Sequence, residues 1–455
     1  MFMLDRLPFD IRRPGGKARI LANAALGSLA LRLLGMGAAF LVGVQLARHL
    51  GPAALGIYGT AIAVMSLMTV GAQLGLPQLI TRELSSHIAM GDIGTAKRAV
   101  GTFGRAVLLA SLTISCVGAV ILLAWPPASA ESFRAFAFAF AAVPVAALLN
   151  LGIGALRGVH LIVWAQFMDV LIRPVLLSAL LALLIASTGF DAATAVALQG
   201  LTALCALGVC VWLFGKSTPS GWKTARAPDK AAGWTRTAAS MSATEIMRVL
   251  DGQYPILLLG SIAAQHDVGV FRVALSIATF VGLPASLINV IVMPHLAELH
   301  ARGDRGRLQL VAAGAALFAF SSILVAAVVV ALFGDRIVGL AFGNAFSGAW
   351  ASLVVMSGSY LVAGFFGSAA MILNMCGAEK TVTAVYTAGP IIGFSVAMGL
   401  YPHLGMLAAA VGPLVAEAVK GAWMYFAARR KLGIDVSLLG ARHLLPGRLA
   451  HSRGK

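Results

Sequence analysis

Residues 55–64 read LGIYGTAIAV, and residues 268–277 read VGVFRVALSI. Both runs are apolar and both place a glycine second; they stand 213 residues apart. A shorter echo sets Gly91 and Asp92 against Gly303 and Asp304, at an offset of 212. A fainter one sets LRGVHLIVWAQF, residues 156–167, against MCGAEKTVTAVY, residues 375–386. One match between Ala/Leu/Val-rich segments arises easily by chance. Near-equal offsets at equivalent places along the chain point instead to an internal repeat.

The repeat lies in a membrane protein. Of 455 residues, 59% are hydrophobic and 11% charged, with a mean hydropathy of +0.90, far from the balance of a soluble domain. The net charge of +17 does not indicate nucleic acid, because no soluble basic face exists to carry it. A bilayer core of about 30 Å needs about 20 apolar helical residues. Runs of that length predict twelve spans: 22–48, 55–78, 101–124, 134–156, 169–188, 193–214, 238–262, 267–293, 308–333, 348–373, 381–400 and 404–428. With the N-terminus inside, the segments on that side hold 25 of the 34 Lys and Arg, and only Arg48, Arg134 and Arg336 fall on the other. Basic loops stay in the cytoplasm, so both termini are expected there.

The polar stretch GKSTPSGWKTARAPDKAAGWTRTA separates spans one to six from spans seven to twelve. The expected layout is a cytoplasmic segment 1–21, a six-helix bundle 22–214, a linker 215–237, a second bundle 238–428 and a basic tail 429–455. Six spans per repeat is an even number, so the halves share one orientation and are related by an axis along the membrane normal. The fold class expected is an all-α integral membrane protein of about twelve helices, in two pseudo-symmetric bundles around a central cleft. That is an alternating-access architecture. The first residues lack the apolar core and small-residue cleavage site of a signal peptide. Cys116, Cys205, Cys210 and Cys376 show no metal-type spacing and read as small packing residues. Neither a metal nor a cofactor is expected.

The stretch QLARHLGPAALGIYGTAIAVMSLMTVGAQLGLPQLITREL resembles the polysaccharide transporter family of lipid-linked oligosaccharide flippases, and VGVFRVALSIATFVGLPASLINVIVMPHLAEL is its counterpart in the second half. That family is part of the multidrug, oligosaccharidyl-lipid and polysaccharide (MOP) exporter superfamily, with the MATE drug exporters and the lipid II flippase. One departure is the span count: many of these flippases have fourteen, and this chain shows twelve. The resemblance implies a bacterial inner-membrane flippase. Its cargo would be a polyprenyl-diphosphate oligosaccharide, on an undecaprenyl carrier, for O-antigen, capsule or exopolysaccharide. Other glycan-assembly membrane proteins are implied as partners, and H⁺ or Na⁺ as coupling ions. The alternative is a MATE-type exporter of cationic drugs. An enzyme is not expected, since the longest outer connection, GDRIVGLAFGNAFSG, has few titratable groups and no nucleotide-binding signature appears.

Charges inside spans identify the candidate site, because a charge at mid-bilayer costs on the order of 2.5 to 3.5 kcal/mol and faces a partner or a wet cavity. Glu245, Arg248 and Asp251 in ATEIMRVLDGQYPILLLG are spaced by three, so they share a strip about 120° wide. Two readings stand: an internal triad pinning the helix, or a cleft lining in which Arg248 meets an anion while Glu245 or Asp251 exchanges a coupling ion. Arg32 is the one charge deep in the first span, and the family's layout implies a place beside the lateral opening. Arg272 near the start of span eight is either a snorkelling residue or a substrate contact. Asp169 with Arg173, and Glu417 with Lys420, are expected to be structural ion pairs.

Overall fold

The computed structural model describes residues 16–187, 189–219, 221–222, 224–225, 234–367, 369–375, 378–432, 435 and 437–440. Most of the N-terminal segment, much of the linker, most of the basic tail and Cys376 lie outside these. Among the described residues the regular structure is helical throughout.

The chain runs through α1 (Gly16–Gln73), α2 (Leu76–Ala89), α3 (Ile93–Ala124), α4 (Ala130–Gly158), α5 (Ile162–Gln166), a wider π-helical stretch (Phe167–Ile172), α6 (Arg173–Ser187) and α7 (Ala192–Ser217). It continues through α8 (Thr235–Ile262), α9 (Gln265–Val281), α10 (Leu283–Ala301), α11 (Arg305–Phe342), α12 (Ala349–Phe366), α13 (Ala369–Met375), α14 (Glu379–Leu404) and α15 (Ala408–Leu432). The first two predicted spans are the two arms of α1, broken at Gly51, whose φ of 72° is followed by Pro52. Among the described residues, eight stretches are long and apolar enough to cross a membrane by length and composition, and two of them, Ala30–Gln73 and Lys380–Lys431, each hold two predicted spans. The predicted spans outside that set are α8, diluted by Glu245, Arg248 and Asp251, and the α9/α10 pair.

Packing is that of a chain with apolar residues on both its inside and its outside. Ala61, Ala63, Ala139, Ala274 and Ala278 are fully buried, whereas Leu109, Val120, Leu123, Leu183, Leu332 and Leu340 are exposed. In lipid an exposed leucine costs nothing, and small residues let backbones approach closely. The cysteines follow the same division: Cys210 is buried and abuts Gly152, while Cys116 and Cys205 are exposed rather than packed. Helix α4 packs on α1, α2, α3 and α7; α15 packs on α8, α12, α13 and α14; and α1 meets α8 and α9 between these groups.

The two runs that mark the repeat meet where α1 lies on α9. A Cβ at Gly56 would stand 1.9 Å from the Gln265 carbonyl oxygen, and one at Gly269 would stand 1.9 Å from that of Pro52. Equivalent glycines of the two halves thus touch each other across the pseudo-axis. The second echo has a local meaning as well. Gly91 and Gly303 adopt φ of 76° and 71°, turning the chain so that Asp92 and Asp304 cap α3 and α11. Asp92 accepts from the Thr95 backbone N–H at 3.0 Å, and Asp304 from that of Arg307 at 3.0 Å.

The Thr95 N–H holds the Asp92 carboxyl below the ordinary carboxylate range. A depressed carboxyl stabilises the fold above its unfolded-state pKa, and that contribution disappears as pH falls through the lower folded-state value. Asp92→Ala is expected to speed hydrogen exchange in the first turn of α3 by about fivefold, the equivalent of a cap worth about 1 kcal/mol. The difference from wild type should shrink in strong acid.

Candidate functional site

A cavity of about 420 Å³ opens between the end of α1, α2, α4, the π stretch and α8. Arg157 and Asp169 line one side and Glu245 and Arg248 the other. Arg248 Nε donates to Glu245 Oε2 at 3.1 Å, and a second guanidinium nitrogen binds the other carboxylate oxygen. Gln78 Nε2 on α2 donates to the same Oε2 at 3.1 Å, bridging α2 to α8. The Arg248 side chain is 64% exposed, so its remaining N–H donors face the cavity.

Two expectations need correction. Asp169 pairs with Arg157 at 3.1 Å instead of Arg173. The reason is the π-helical stretch between them: its wider i→i+5 turns take residues four apart out of line. The strip on α8 also divides. Glu245 and Arg248 face this cavity, while Asp251 meets Lys420 of α15 at 2.7 Å. The 120° between Glu245 and Asp251 is enough to address two different neighbours. Glu417 and Lys420 do pair, at 2.8 Å.

Arg272 lies deeper, in a smaller cavity of about 80 Å³ shared with Tyr58, Ser276 and Phe342. Its guanidinium stands 5.0 Å over the Tyr58 ring, a cation–π contact, and its stem packs where Gly59 has no side chain. It has no carboxylate within 4 Å among the described residues. On the far side, Tyr58 is also in electrostatic reach of Arg173, whose buried Nε has no hydrogen-bond partner. Arg32 is exposed on α1, one turn before Gly35, which packs against Val170 of the π stretch.

Several contacts had no sequence signal. Arg48, at the end opposite the termini, donates Nε to the Ala341 carbonyl at 2.8 Å and another nitrogen to Leu340, covering the last carbonyls of α11. At the termini end, Trp234 Nε1 donates to Glu83 at 3.1 Å and the ring stacks edge-on against Phe103. Among the described residues no group of three His, Cys, Asp or Glu could hold a metal ion.

A helical bundle with an Ala-rich interior, a leucine-rich exterior and charge-lined cavities between its halves is a multi-pass membrane protein built like a transporter. The sequence profile of the family described as polysaccharide biosynthesis protein matches residues 21–300, and the chain belongs to that family. No curated protein sequence matches it. Among solved structures, it is similar to an inward-facing multidrug resistance MATE transporter of the MOP superfamily, with a TM-score of 0.71 at 14% identity over 90% of this chain and 98% of the other. It is also similar to a MOP superfamily transporter from Pyrococcus furiosus, at 0.64 and 16% over 90% and 95%. The lipid II flippase MurJ, in an inward closed conformation, gives 0.66 at 13% identity over 89% and 87%. The fold is that of the MOP superfamily.

Proposed function

We propose that the protein is a flippase that carries a polyprenyl-diphosphate-linked oligosaccharide from the cytoplasmic to the periplasmic leaflet of a bacterial inner membrane. In this reading residues 22–214 and 238–428 are the two moving bundles and both termini are cytoplasmic. The observation that carries the proposal is Arg248: a guanidinium with 64% of its side chain open to a cavity between the bundles, in a chain of the polysaccharide biosynthesis family. A guanidinium binds phosphate oxygens in a bidentate fork that an ammonium cannot offer. Arg157 across the cavity uses one nitrogen on Asp169 and keeps other donors free, so a diphosphate has two forks to bridge.

Glu245 and Asp169 have a role here too. They neutralise the two arginines in the empty cavity, and the incoming anion competes with them for the same donors. Arg32, exposed on α1, receives the head group on its way in, and Arg272 meets it deeper. Moving about two negative charges outward across a membrane that is 100 mV negative inside is favourable by roughly 2 × 2.3 kcal/mol, so the membrane potential alone suffices as a drive.

The test is deletion of the gene followed by leaflet-resolved analysis of lipid-linked saccharides. Completed oligosaccharide-diphosphate lipid should accumulate in the inner leaflet, and wild type should clear it. Arg248→Ala at equal protein level is expected to lower clearance by about tenfold or more, the loss of one charge-assisted interaction. Full clearance by that variant would remove Arg248 from the anion path. Normal glycolipids with new sensitivity to cationic drugs would overturn the flippase reading.

A further inference from the structure

Lys420 is the only charged residue in the buried class among the described residues. Its ammonium stands 2.7 Å from Asp251 on α8 and 2.8 Å from Glu417 on its own helix, and 5.8 Å above the ring of Tyr386 on α14. The chain makes room for it: a Cβ at Gly389 of α14 would lie 2.5 Å from Lys420 Cδ and 3.1 Å from Cγ, so the glycine is a channel for the lysine stem. The cluster separates cavities of about 650 Å³ and 280 Å³, and Asp251, Glu417 and Lys420 line both.

The charges decide what this cluster can bind. The two carboxylates sum to −2 and need a cation between them; with the Lys420 ammonium in that place the cluster is −1, which still repels a diphosphate. Arg248 offers its free donors to an open cavity; Lys420 spends its ammonium on the protein itself. A covalently attached cation is present at any salt composition and avoids the entropy of capturing a free one. An ammonium is also a compact point charge with three donors, comparable in size to a small hydrated-site ion rather than to a planar guanidinium. One further oxygen is available nearby: Ser359 Oγ, on the wall of the smaller cavity, is buried without a hydrogen-bond partner.

We propose that Lys420 occupies, as a tethered ammonium, a monovalent-cation site formed by Asp251 and Glu417, so that α8 and α15 are held together with no free ion. The proposal is independent of which substrate the protein carries, because its readout is stability and not transport.

The experiment follows the thermal midpoint of the purified full chain in detergent, in sodium, potassium, methylammonium or choline chloride at equal ionic strength. Wild type is expected to give the same midpoint in all four, within about 1 °C. Lys420→Ala leaves two half-buried carboxylates with no cation between them, and its midpoint in choline should fall by on the order of 5 °C. Methylammonium or sodium, small enough to enter the vacated channel, should restore at least half of that loss, and choline none. If Lys420→Ala does not accumulate, Lys420→Gln, which removes the charge and keeps most of the stem, takes the same comparison. A wild type stabilised by sodium over choline overturns the proposal whatever the variants do. So does a folded variant whose loss no small cation reduces, since that leaves only an ordinary ion pair.

Discussion

Gly56→Val is expected to stop transport and to open the end of the molecule opposite the termini. The Cα of Gly56 sits so near α9 that even a methyl group would stand 1.9 Å from the Gln265 carbonyl oxygen and 3.1 Å from the Gly269 nitrogen. Neither atom belongs to a side chain that can swing away, so the helices must part. Overpacking of this kind costs about 1–3 kcal/mol, and a shift of that size changes the ratio of closed to open conformers by roughly 5- to 150-fold. The opposite half makes the same contact, since Gly269 meets Pro52 O, and Gly269→Val should act alike. Arg48, bound to the end of α11 nearby, then loses its carbonyl partners together with the glycine contact. A reporter exists at Ser276, which lies in the small cavity beside Arg272 beneath this contact. With the native cysteines replaced, Ser276→Cys should react slowly with a membrane-impermeant thiol reagent in the parent and about tenfold faster with Gly56→Val. Equal labelling would show that this contact does not close the pathway.

The glycine pair also shows what the sequence could and could not disclose. Hydropathy located the helices because span length and lipid-facing leucines obey a one-dimensional rule, and the repeat offset placed Gly56 and Gly269 at equivalent positions. That these equivalent glycines touch is a consequence of symmetry about an axis, which periodicity alone does not reveal. Partner choice was less legible. Asp169 and Arg173 have ideal spacing for an α-helical pair, and a local π-helical stretch, invisible to a 3.6-residue template, sends Asp169 to Arg157. On α8 the spacing of the three charges predicts one strip, yet 120° of rotation lets Glu245 bind Gln78 and Asp251 bind Lys420 on separate helices. Arg157 has no sequence signal of its own: it is the one Lys or Arg in the connection between spans four and five, where an arginine reads as a topology marker, and only the cavity distinguishes it.

Arg272→Met is expected to keep or raise the thermal midpoint while lowering transport by about 10- to 100-fold, the range for losing one hydrogen-bonded ionic contact. The two effects have opposite signs for one physical reason. A guanidinium that is half-buried and has only an aromatic face for company among the described residues pays desolvation with no carboxylate to offset it. Methionine keeps much of the stem that packs against Gly59 and removes the charge, so the resting fold gains or breaks even. A residue held at a cost to the resting state acts in another state, and in the flippase reading proposed above the partner it meets there is the passing anion. Arg272→Lys separates charge from shape, because an ammonium keeps the attraction and loses the bidentate fork and much of the stacking. Its transport should fall between that of wild type and Arg272→Met. The measurement pairs thermal unfolding with clearance of inner-leaflet lipid-linked saccharide for all three proteins. A loss of stability in Arg272→Met matching its loss of transport would make Arg272 a packing residue and move the anion path elsewhere.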